Sequence, residues 1–130
     1  MQKPGLHFAS VETIKENIIH VSFFDLAEID IEEAKALKHE ILRLSGAKNY
    51  VLVLDSGKQR IDISHAARDF LVSDEQLNQK IICQAYVAKS MSNKLTFHFF
   101  INFHKPDFPV QVFDSAPEAL KWIEKEMVKQ

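Results

Sequence analysis

The sequence predicts an α/β domain built on a mostly parallel sheet, with residues 1–130 forming one unit. Two apolar runs, YVLVLD at Tyr50–Asp55 and KIICQAYVAK at Lys80–Lys89, are near-continuous. Strands covered on both faces read this way, because neither side of the sheet meets water. Between and after these runs lie stretches with helix-start signals and apolar residues at steps of three and four. Strand and helix therefore alternate, and parallel strands joined by right-handed crossovers are the expected result.

The chain opens with an antiparallel strand pair. Leu6–Ile14 alternates weakly, while Asn17–Phe24 (NIIHVSFF) is rich in β-branched and aromatic residues. The polar interruption at Ile14–Ile18 is short enough for a hairpin. Asp30 and Glu33 then stand at capping-box spacing, ahead of an apolar stripe of Ala34, Leu37, Ile41 and Leu44. This first helix covers about residues 31–45 and ends at Gly46, which suits a left-handed cap. Glu32, Lys35, Lys38, His39 and Arg43 lie off the stripe and face water.

Tyr50–Asp55 is the central strand, and Ser56–Arg60 a polar loop after it. Ile61 and Ile63 read as apolar plugs in the next segment. Ser64 caps a helix carrying Ala67, Phe70 and Leu71 inward. Ser73–Asp74–Glu75 either prolongs that helix or starts another turn. Lys80–Lys89 is the next strand. Ser90 or Ser92 caps a third helix, which runs towards His104 and stops before Pro106. His104 and Lys105 at its end suit the negative pole of the helix. After a rigid turn at Pro106–Pro109 comes a short strand, Val110–Phe113. Ser115 and Glu118 repeat the capping spacing, with Pro117 tolerated in the first turn. Leu120, Ile123 and Met127 give the fourth helix its stripe.

Composition excludes several function classes. Sixteen basic and 18 acidic residues are interleaved for a net charge of −2, with no basic stripe for nucleic acid. One cysteine, Cys83, permits no internal disulfide and suits a reducing compartment. Neither a signal-peptide pattern nor an apolar run of spanning length is visible, so a cytoplasmic protein is expected. Three glycines leave no glycine-rich phosphate loop.

Two segments, YVLVLDSGKQRIDISHAARDF (50–70) and INFHKPDFPVQVFDSAPEALKWI (101–123), resemble the SpoIIAA-like superfamily of STAS domains. That superfamily also takes in the lipid-binding CRAL-TRIO fold. The second segment is similar to small uncharacterised bacterial STAS-like proteins. The resemblance implies a SpoIIAA-like fold and a non-enzymatic regulatory role through a protein partner. Anti-sigma-factor antagonists of this superfamily are switched by phosphorylation of a serine at the helix start after the central strand. By position that serine is Ser64, with Asp62 and His65 as neighbours. Here the segment reads Asp62–Ile63–Ser64–His65, where the family has Asp-Ser-Ser-Gly.

The residues themselves offer few chemical sites. Phosphate on Ser64 would face free N–H groups of a helix start; the plainer role of Ser64 is that of a cap. His65 and Asp69, four apart, share a helix face. Adjacent Ser64 and His65 point in different directions, so a catalytic triad is not expected. Six scattered histidines show no metal-ligand spacing. Cys83, inside an apolar strand, reads as a small hydrophobe. The third helix is the unusual stretch. Phe97, Phe99, Phe100, Ile101 and Phe103 span a wider arc than one sheet contact requires. Phe97, Phe100, Ile101 and Phe103 are therefore candidates for contact with a second subunit, as in a homodimer, or with an apolar ligand. Two readings follow: a STAS-like interaction module, and a carrier of a small apolar molecule or lipid. No enzyme activity and no cofactor are expected.

Overall fold

The first turns of the chain set the direction of everything after them. In the computed structural model, which describes residues 6–103 and 105–129, β1 (Ala9–Thr13) folds back antiparallel on β2 (Ile18–Phe23). After β3 (Ala27–Ile29) and α1 (Ile31–Ser45), β4 (Tyr50–Gly57) lies parallel to β2. Next come β5 (Ile61–Ile63), α2 (His65–Ser73) and α3 (Glu75–Asn78), and then β6 (Ile81–Ala88), parallel to β4. Finally α4 (Met91–Phe103) leads to β7 (Val110–Phe113), parallel to β6, and α5 (Ala116–Val128) follows.

The main sheet runs β1-β2-β4-β6-β7. Each parallel strand is added on the same side of the one before. Right-handed crossovers that all step one way put their helices on one face. The larger core accordingly joins Leu37 and Ile41 of α1, Ala67 of α2, Leu77 of α3 and Phe97 of α4 to Val21, Leu52 and Tyr86 of the sheet. The other face has only α5, whose Ala119 and Ile123 pack on Val51, Val53, Cys83 and Ala85. Alternate residues of β4 thus serve two cores, which explains its unbroken apolar run.

The helix starts follow local chemistry. The Asp30 and Glu33 side chains form a full capping box, and Gly46 ends α1 at φ 58°. Ser90, not Ser92, begins α4, accepting a hydrogen bond from Asn93 N at 3.1 Å. Ser115 accepts from Glu118 N. Asp74 both ends α2 and caps α3, so the Ser73–Glu75 segment starts a new short turn. Four longer helices match the expected number, and α3 adds a single turn.

Three details differ from the sequence reading. β1 begins at Ala9 instead of Leu6, and β4 continues through Ser56 to Gly57, beyond Asp55. Ile61 and Ile63 are not isolated plugs: they form β5, which pairs in parallel with β3 as a second, two-stranded sheet. Strands of three residues are too short to show a period. The proposed end of the third helix at His104 lies outside the described residues.

Candidate functional site

β3 and β5 lie side by side, and each feeds straight into a helix. Ser64 N donates to Ile29 O at 2.9 Å, so the starts of α1 and α2 are held level with each other. The two caps then bond directly. Ser64 Oγ donates to Asp30 Oδ1 at 2.7 Å and accepts from Ala67 N at 3.1 Å. The same Asp30 oxygen accepts from Ile31 N at 2.8 Å. The Ser64 hydroxyl, and next the Ile31 N–H, hold the Asp30 carboxyl below the ordinary aspartate range. One hydroxyl therefore links two helix starts that are 34 residues apart in sequence.

The neighbours of Ser64 are less engaged. Asp62 is exposed in β5, in register with Glu28 of β3. His65 is exposed at the first position of α2. Asp69 is not its partner; the carboxylate takes the Arg68 guanidinium at 3.1 Å. Ser64, His65 and Asp69 thus do not assemble into an acid–base relay. Among the described residues no group of three His, Cys, Asp or Glu side chains could hold a metal ion.

The phenylalanine-rich helix divides in two. Phe97 and Phe100 are buried, Phe97 completely, and Phe97 stacks on Tyr86 with centroids 4.5 Å apart. Phe97 thus belongs to the core and has no surface to offer a partner. Phe100 and half-buried Ile101 line an apolar cavity of about 50 Å³ against Leu52, Leu54 and Tyr86. Phe103 is 54% exposed and continues an outer row of Met91, Leu95 and Phe99. Buried Arg68 sits over the Phe99 and Phe103 rings at 5.0 and 4.1 Å.

Residues 13–127 match a sequence family described as a domain of unknown function, DUF7793. The chain belongs to that family. Among curated proteins none matches this DUF7793 domain. Among solved structures it is similar to an uncharacterised protein of the DUF3478 family from Shewanella loihica, which has a SpoIIAA-like fold. The two share 15% identity over 94% of this chain and 98% of that one, with a TM-score of 0.63. At that identity the likeness concerns the fold, which is SpoIIAA-like here too. No helix among the described residues of the DUF7793 domain is long and apolar enough to cross a membrane.

One cluster escaped the sequence reading. His20 Nε2 lies 2.9 Å from Asp55 Oδ2 and 3.5 Å from Ser22 Oγ, largely buried on the sheet face that also carries α5. Both contacts reach the same ring nitrogen, so this is not the relay of a serine hydrolase, where acid and serine use opposite nitrogens. Asp55 Oδ1 also accepts from Gly57 N at 2.9 Å, fixing the irregular end of β4. Only the parallel register of β2 with β4 brings these residues together, and no local spacing announces it.

Proposed function

We propose that this DUF7793 domain acts by binding, as a STAS-like interaction module for a protein partner, with Ser64 as its control point and without catalysis. The carrying observation is the half-exposed Ser64 hydroxyl that ties the cap of α2 to the cap of α1. Phosphorylation of Oγ would remove the proton donated to Asp30. It would also set roughly 1.5–2 negative charges against that carboxylate. The helix N–H groups attract the phosphate while Asp30 repels it, so the joined helix starts must rearrange. A partner seated on them would feel the change. The SpoIIAA-like fold supports this reading. The test is phosphosite mapping of the protein isolated from its own cells, with partner capture by wild type, Ser64→Ala and Ser64→Glu. Ser64→Glu should weaken capture at least tenfold while Ser64→Ala keeps it. Equal capture by all three forms overturns the switch.

A second reading, a carrier of a small apolar molecule, is favoured by the cavity beneath Phe100 and Ile101. A dry apolar cavity of about 150 Å³ accepts benzene. The space here is about 50 Å³, so a ligand beyond a few heavy atoms requires the helices to part. Native mass spectrometry of the purified protein checks this: a retained apolar adduct supports a carrier, and the bare chain mass counts against one.

A further inference from the structure

The outer side of α1 forms one wall of an open groove of about 730 Å³, whose lining Phe70 of α2 and Gln76 of α3 complete. Lys35, Lys38, His39 and Arg43 line the α1 wall with Leu42 among them, and no carboxylate shares the lining. The spacing of these five positions, in steps of three and one, places them on a single helix face. Of the three formal cations in this lining, Lys38 and Arg43 are already balanced from behind. Lys38 Nζ meets Asp74 at 3.0 Å, and Arg43 meets nearly buried Glu40 at 2.6 Å. Lys35 and His39 are exposed, and neither has a carboxylate partner in the ion pairs of the described residues. Under this rim the floor is apolar: Phe70 is half-buried, with Lys38 Nζ 5.7 Å above its ring.

We infer that this groove docks an acidic segment of a protein partner, with an apolar side chain of that segment seated on Phe70 and Leu42. The inference rests on the interaction-module reading and names its surface. Charge complementarity selects the occupant: a basic rim without carboxylates favours acidic residues, and the apolar floor favours one hydrophobic anchor between them. An open groove walled by long side chains encloses too little of a small molecule to hold it, since small-molecule sites bury most of their ligand. Nucleic acid fits less well, because its backbone calls for several unpaired cations in a row, whereas Lys38 and Arg43 are already paired here and the whole chain carries a charge of −2. Ser64 and Asp30 are not part of the groove lining, and Asp30 lies about 140° round α1 from Lys35, so the groove and the Ser64 joint are separate surfaces.

The test is selection of a random peptide library on the full chain, followed by affinity measurement for a resynthesised selected peptide. Acidic sequences with one apolar anchor should be enriched. Their affinity should fall about tenfold in the double variant Lys35→Glu/His39→Glu, more steeply at low salt. Leu95→Glu, on the outer row of α4, should leave it unchanged. Both altered α1 positions are exposed and outside any ion pair of the described residues, so the variant keeps its fold, checked by circular dichroism. No enrichment, enrichment of non-acidic peptides, or equal binding by the double variant overturns the inference. So does tight binding of a homopolymeric RNA that the same variant abolishes. Ser64→Glu separates the two proposals. Binding lost in Ser64→Glu but kept in Lys35→Glu/His39→Glu removes the groove and leaves the module. The reverse keeps the groove and removes the switch. Binding unchanged in both removes both.

Discussion

A single hydroxyl shows how a cap becomes a joint. Ser64 ahead of Ala67 is legible as a helix start from sequence, because an N-cap needs only a local oxygen. Its bond to Asp30 is not legible, since it depends on β3 and β5 pairing across the chain. The pairing has a titration consequence. Asp30 has its pKa lowered below the ordinary 3.8, chiefly by the Ser64 hydroxyl. The ionised form therefore stabilises the fold above that value, and the contribution fades as pH falls through the lowered pKa. Asp30→Asn keeps a capping oxygen and removes the charge. In urea titrations it should be less stable than wild type at neutral pH, with the difference closing in acid well below pH 3.8. A difference that persists unchanged in acid would show that the charge is not the cause. Cys83 is also defined by its surroundings. Burial pushes its thiol up to about 11, so little thiolate is present at neutral pH.

At the scale of the element, α4 teaches the most. Its apolar arc is evident in KLTFHFFINF, but the division of that arc is not. Contact with Tyr86 draws Phe97 and Phe100 inward, and Phe99 and Phe103 are left outside, stacked on each other and on Arg68. Periodicity finds an apolar stripe but not its depth, because depth is set by the neighbouring elements. The two sides should respond differently to charge. Phe97→Glu loses at least the ~3–5 kcal/mol of a truncated core phenylalanine and must also bury a carboxylate, so it should unfold the domain. Phe103→Glu loses only a half-exposed ring over Arg68, so it should cost about 0.5–2 kcal/mol and leave the domain folded. If α4 mediates self-association, Phe103→Glu should also lower the mass seen by light scattering. A stable, folded Phe97→Glu would contradict the placement of that ring.

For the whole molecule, the decisive feature is that every crossover steps in one direction. Three helical connections crowd one face and α5 alone guards the other, where it covers Cys83. Cys83 is therefore a reporter on α5. Ile123→Ala should cost about 2–5 kcal/mol and speed thiol labelling of Cys83 in native conditions. Labelling at an unchanged rate would mean that α5 does not gate the thiol. The same face carries the His20–Asp55 pair, whose side chains are largely buried, and local sequence had no means of grouping two residues on separate strands. By itself, the sequence determined the elements and their order: the hairpin, the alternation of strand and helix, the caps at Asp30, Ser64 and Ser115, and the two-sided burial of the central strands. These are short-range matters of period, capping and turn chemistry. Only the tertiary structure decided the β3–β5 pair, the Ser64–Asp30 joint, the depth of each phenylalanine and the basic groove along α1. Each of these depends on contacts between segments far apart in the chain, which strand register and crossover direction create and no local pattern encodes.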